Sequence, residues 1–261
     1  MRLRSTALLL ISLVYSLALL ADDVHHHDAH DTSEKLGTVN FPTSCSATAQ
    51  KPFERGLALL YSFEYEEAEN QFKDVGTTDS KCAMAYWGQA MSLFHQLWAR
   101  PSEADLKRGH ELLVQARQLK PGTHRERDYI DAAAIFYSDS DTAKYKKRVA
   151  DYAGAMGRLS ARYPQDREAG VLYSLALLAS APDRDPKQTN ERKAVAILNK
   201  LFSEQPDHPG VAHYIIHACD NPQMASLGLE AARKYAAIAP SSPHAVHMPS
   251  HIFAKIGRAH V

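Results

Sequence analysis

The stretch LALLYSFEYEEAENQFKDV, residues 57–75, decides the fold. Leu57, Leu60, Tyr61 and Phe63, then Tyr65, Ala68, Phe72 and Val75, recur at three- and four-residue steps, as one face of each of two short helices would. Glu64, Glu66, Glu67 and Glu69 make an ordinary charged helix entry. The same texture continues through residues 83–97, 106–119, 129–137, 149–159, 171–179, 194–202, 211–219 and 227–238, with Pro, Gly, Asp or Ser between the segments. Strand signals are scarce, so the chain is expected to be all-α, built of short paired helices.

The pairs repeat. Pro121, Pro164, Pro206 and Pro240 each end a helix, and five residues before them stand Ala116, Leu159, Leu201 and Tyr235. Eight residues before stand Leu113, Met156, Leu198 and Ala232, and twelve before stand Gly109, Tyr152, Ala194 and Gly228. A register that survives loops of varying length is the mark of a helical solenoid.

Gly56, Tyr65-Glu66-Glu67-Ala68 with Phe72, Ala83-Met84-Ala85-Tyr86-Trp87-Gly88 and the helix-closing prolines together resemble the tetratricopeptide repeats. The resemblance implies a right-handed solenoid of antiparallel helix pairs over residues 45–255, about five repeats plus a truncated sixth, with the first helix of each pair lining a concave groove. Gly109, Tyr152 and Gly228 stand where that family has a small Ala, and Asp79-Ser80 where it has proline. Residues 41–45, 82–88 and 244–253 look, more narrowly, like a group of exported bacterial tetratricopeptide proteins, a likeness that implies location and fold and supplies no reaction.

Hydrophobic residues make up 45% of the 261, enough for a substantial core. The 30 basic and 30 acidic residues balance, so overall charge suggests neither a nucleic-acid nor a membrane-surface partner. Residues 1–21 read as a signal peptide, with Arg2 and Arg4 before the apolar run Leu8–Leu20 and Ala21 before Asp22-Asp23. An uncleaved anchor is the alternative, though the run falls short of the roughly 20 residues that span a bilayer. The protein is therefore expected to be secreted or periplasmic, without stable membrane insertion after cleavage. In that setting a Cys45–Cys82 disulfide is expected, with Cys219 reduced and packed.

Residues 22–44, with His25, His26, His27, His30 and several Asp, have no apolar period and read as a flexible tail. At the other end, residues 256–261 reverse-translate into a common sequencing-adapter read, so the natural chain is expected to continue past Lys255 and His260 is left out of site reasoning.

Six of the 14 histidines fall between His208 and His251. His213/His217 and His247/His251 share the four-residue spacing that stacks two rings on one helix face, with Asp220 one turn beyond the first pair and His244 one turn before the second. Counted from Pro206 and Pro240, the two pairs occupy the same offsets. By the family resemblance these face the groove, so His213 is expected beside His247, and His217 beside His251. Neutral imidazoles with a nearby carboxylate suit Zn or another transition metal. Pro249 can spoil the second pair's geometry, and no His-Glu-x-x-His supplies a general base. Three functions stay open: an exported scaffold binding a protein or peptide in its groove, with a metal at the histidines; a metal-dependent enzyme at the same cluster; and a pure scaffold in which the histidines only pack.

Overall fold

A computed structural model describes residues 34–258, excepting the Arg258 side chain. The expected signal peptide, the tail up to residue 33, and residues 259–261 lie outside the described residues. Within them there is no strand. The helices are α1 (Ala47–Tyr61), α2 (Tyr65–Thr78), α3 (Ala83–Ser92), α4 (Glu103–Gln118), α5 (His124–Phe136) and α6 (Tyr145–Arg162). They continue with α7 (Arg167–Ala179), α8 (Thr189–Glu204), α9 (Pro209–Ala218), α10 (Leu229–Ile238), α11 (Pro243–His247) and α12 (Pro249–Arg258). No described helix is long and apolar enough to cross a membrane.

The boundaries have local causes. Ser102 with Asp105, and Thr123 with Glu126, form reciprocal capping boxes at the starts of α4 and α5, each cap worth about 1 kcal/mol. Helices α4, α6, α8 and α10 each stop two or three residues before Pro121, Pro164, Pro206 or Pro240, which cannot continue the helix. The residues five and eight positions before these prolines are all buried, as are Gly109, Tyr152, Ala194 and Gly228 twelve before. Their shared register is thus the core register. Gly109 has a specific reason for lacking a methyl: a Cβ there would lie 2.1 Å from the Tyr137 ring, whose hydroxyl donates to the Ala90 carbonyl at 2.6 Å.

Consecutive helices pack on one another along the chain, and odd-numbered helices also meet, α1 with α3, α3 with α5, and α7 with α9. Helix α1 touches α9 as well, so the chain curls until its first helix reaches its ninth. This meeting is buried. Tyr61 of α1 donates its hydroxyl to Glu168 of α7, and His208, which caps α9, bonds the same carboxyl group at 3.1 Å. The space left among Leu60, Phe63, Tyr65, Met91, Leu172 and Tyr214 is about 10 Å³, on the scale of one water molecule.

The disulfide joins Cys45 to Cys82, tying the entry of α1 to the entry of α3, and Cys219 is free and buried. Residues 34–44, expected within the flexible tail, instead form a packed strap. Leu36, Val39 and Phe41 are buried, the Thr38 N–H donates to the Asp207 carbonyl at 2.9 Å and the Ser241 N–H donates to the Lys35 carbonyl at 3.2 Å. Gly37 takes φ +86°, where a Cβ would meet the Asp207 carbonyl at 2.8 Å, so the close approach needs glycine. Phe41 packs on Phe53 of α1, Trp87 of α3 and Tyr129 of α5, with the Arg125 guanidinium 4.1 Å above its ring. The strap therefore links the entries of α9 and α11 to the first three odd-numbered helices. Three apolar side chains spread over a segment without helical period were enough to order it, because the helices supply the complementary surface.

Phe41→Ala is expected to lower stability by about 3–5 kcal/mol, read from urea unfolding at fixed pH. A loss within about 0.5 kcal/mol would show that the strap is not part of the core.

Candidate metal centre

Four elements build the histidine cluster. The corner after α1 is the least obvious of them. The Glu64 N–H returns to the Leu59 carbonyl at 3.0 Å, closing α1 in a Schellman turn whose left-handed position is normally glycine. Here that position is Phe63, at φ +61°. The backbone cost, about 1–2 kcal/mol, places the Phe63 ring against three imidazoles: His213 at 4.4 Å between centroids, His217 at 5.4 Å and His244 at 5.5 Å. Two residues earlier, the Tyr61 carbonyl accepts a hydrogen bond from His213 Nδ1–H at 2.6 Å. A carbonyl can only accept, so Nδ1 carries the proton and His213 Nε2 is a bare lone pair.

That lone pair faces two more imidazoles, with His244 Nε2 at 2.9 Å and His217 Nε2 at 3.0 Å. The ligand atoms of the three residues lie within 4.8 Å of one another. One lone pair satisfies one straight hydrogen bond, so two converging rings oversubscribe it. An ion between them would not. Three nitrogens about 2.0–2.1 Å from a tetrahedral zinc stand about 3.3 Å apart, which small ring rotations reach from the observed positions. His213 is fully buried and stacked on Tyr235 at 5.2 Å, while His217 and His244 are half-buried and Trp98, 64% exposed, stands 5.3 Å from His244. The cluster is closed behind His213 and open in front of His244.

Burial also sets protonation. Removal from water holds His213 well below the usual imidazole range, and the neighbouring His217 and His244 push it the same way. Burial, with His244 and His251 nearby, pulls His217 down to about 3, and burial, with His247 and His251 nearby, pulls His244 down to about 4. All three are neutral near pH 7, the form that ligates a metal.

The remaining expected ligands form an outer group. His247 Nε2 lies 3.1 Å from His251 Nε2, His251 Nδ1–H donates to Asp220 Oδ2 at 2.8 Å, and Lys255 approaches the other Asp220 oxygen at 3.5 Å. Pro249 interrupts the helical hydrogen bonds between α11 and α12, but Met248 keeps helical angles, φ −58° and ψ −33°, so the four-residue alignment of His247 and His251 survives.

The expected pairing of His213 with His247 and of His217 with His251 is not what forms; His244 takes the place beside both α9 histidines. Equal offsets come level only if neighbouring helices stand at equal height. The Ser242 hydroxyl donates to Glu64 at 2.7 Å, pinning the start of α11 to the α1 corner, and the first turn of α11 therefore sits level with the middle of α9. Of the six, His213 lies in the interior, His217, Asp220, His244 and His251 are half-buried, and His247 is exposed. Tyr61, Phe63, Glu64, Trp98 and Tyr235 were not legible as site residues; the only signal was Phe63 just past the end of a helical pattern, where glycine would be usual.

No protein-family model matches the chain, and no curated protein is a significant match to it. The functional reading therefore rests on the geometry of this cluster.

The unfolded chain protonates these imidazoles near pH 6.5, whereas the fold resists protonation until the pH is far lower. Below about 6.5 the unfolded state binds more protons, so stability of the metal-free chain falls as pH drops from 7 to 5. Urea midpoints across that interval check this, and a midpoint that stays level or rises would contradict the neutral buried cluster.

Proposed function

We propose that this chain is an exported metal-binding helical-repeat protein whose centre, His213, His217 and His244, holds a divalent transition ion of the zinc class. The carrying observation is the commitment of His213 Nδ1–H to the Tyr61 carbonyl, which aims a bare Nε2 at two other Nε2 atoms. Metal-ligating histidines characteristically hold their second nitrogen in this way. The scaffold reads as a tetratricopeptide-like, right-handed solenoid of about five helix pairs and a partial sixth. The Cys45–Cys82 disulfide is compatible with an oxidising compartment.

A second reading, a metal-dependent enzyme at the same centre, is favoured by one feature. The set has three protein ligands and is half-open, the arrangement in which catalytic zinc keeps a position for water or substrate. A protein or peptide partner in the concave groove of the array belongs to the same proposal.

The test is elemental analysis of tag-free protein in which His25→Asn, His26→Asn, His27→Asn and His30→Asn remove the competing N-terminal imidazoles. One tightly held equivalent is expected, lost in His213→Ala. At free metal 100-fold above Kd the ion adds about 2.7 kcal/mol, raising Tm by roughly 5–10 °C. No stoichiometric metal, and no Tm response to added Zn²⁺, would overturn the proposal.

A further inference from the structure

We propose that His247 and His251, with Asp220 orienting the latter, form a second and exchangeable metal position beside the three-histidine centre. The inference rests on the reading above in one respect, that the inner ion occupies His244 Nε2, and otherwise on separate residues.

The chemistry follows from counting protons. Asp220 Oδ2 accepts the Nδ1–H of His251, so His251 Nε2 is a second bare lone pair, aimed 3.1 Å from His247 Nε2. In the tautomer with its proton on Nδ1, His247 presents a lone pair at the same place, and the two nitrogens become a cis pair of ligands for one ion. A carboxylate–histidine–metal arrangement of this kind fixes ring orientation and raises the basicity of the ligating nitrogen. The other Asp220 oxygen, shielded from solvent and without a hydrogen bond, lies 3.5 Å from the Lys255 ammonium.

Three differences from the inner centre set the second position's character. It has two protein nitrogens instead of three, so water completes its coordination. His247 is exposed and His251 half-buried, so the ion exchanges with solvent. The Lys255 charge opposes a cation, so binding is weaker than inside. Imidazole ligands select zinc, copper or nickel over magnesium or calcium. The His244 and His247 rings are neighbours, with centroids 6.4 Å apart, so the two positions share one opening.

The experiment is a Zn²⁺ and Co²⁺ titration of the chelator-stripped full chain carrying the four tail substitutions, followed by calorimetry and by cobalt absorption. Two equivalents of unequal affinity are expected, the weaker one removed by gel filtration. His247→Ala/His251→Ala should keep the tight equivalent and lose the weak one. Asp220→Asn should weaken only the second, by about 10–100-fold, with far-UV circular dichroism and Tm of the metal-free variant unchanged. A single equivalent in both the parent and the double variant, at equal affinity, would overturn the second position and leave the inner centre standing. Two equivalents undiminished in the double variant would overturn it too. No binding at all would remove both.

Discussion

The closure of α1 onto α9 is the constraint on which the rest depends. One short corner, Tyr61 to Glu64, makes contacts in several directions: its tyrosine hydroxyl to Glu168, its Tyr61 carbonyl to His213, its Phe63 ring to three imidazoles, and its Glu64 carboxylate to Ser242. The Glu168 carboxyl group, almost fully buried, is shared between Tyr61 and His208, and His208 Nδ1 in turn accepts the Val211 N–H at 3.2 Å. Every group in this chain of bonds has a partner, so a polar core here specifies how far the array curls instead of weakening it. Removing Glu168 would leave the Tyr61 hydroxyl and the His208 ring N–H buried without their partner, a loss of about 1–3 kcal/mol for each.

From that closure the cluster inherits its character. The inner histidine is held by a backbone carbonyl on a helix remote in sequence, and its ring is stacked on Tyr235 and meets Phe63 edge-on. Rotamers fixed by packing and by a second hydrogen bond are what a ligand set needs before an ion arrives. The strain stored at Phe63 belongs to the same design: a glycine would relax the turn and remove the aromatic wall. The strap works at another place, lacing the entries of α9 and α11 to α1, α3 and α5 through Thr38, Ser241 and Phe41, and so resists uncurling.

Helix class and the proline-set register were legible because each is a local or periodic signal, whereas the Cys45–Cys82 pairing, 37 residues apart, was expected from the oxidising setting. Leu113, Met156, Leu198 and Ala232 share one spacing from four prolines, and all four are buried. Phe41 carried no such signal; a lone aromatic is ordered only by surface that distant helices provide. The spacing on α9, α11 and α12 singled out His213, His217 and His244, which come together, and His247 and His251, which form the outer group with Asp220. Their pairing was not legible, because it depends on the relative height of two helices, and a hydrogen bond from Ser242 to Glu64 sets that height. Tyr61 and Phe63 stayed hidden for the related reason that the curl brings them to a histidine about 150 positions away, and helix periodicity does not encode curl.

The most direct measurement is anomalous diffraction at the zinc edge from crystals of zinc-loaded protein. The account requires a peak about 2.0–2.1 Å from the Nε2 atoms of His213, His217 and His244, with His213 Nδ1 still bonded to the Tyr61 carbonyl. An empty cluster in zinc-saturated crystals, or an ion held with the His213–Tyr61 bond broken, would contradict it.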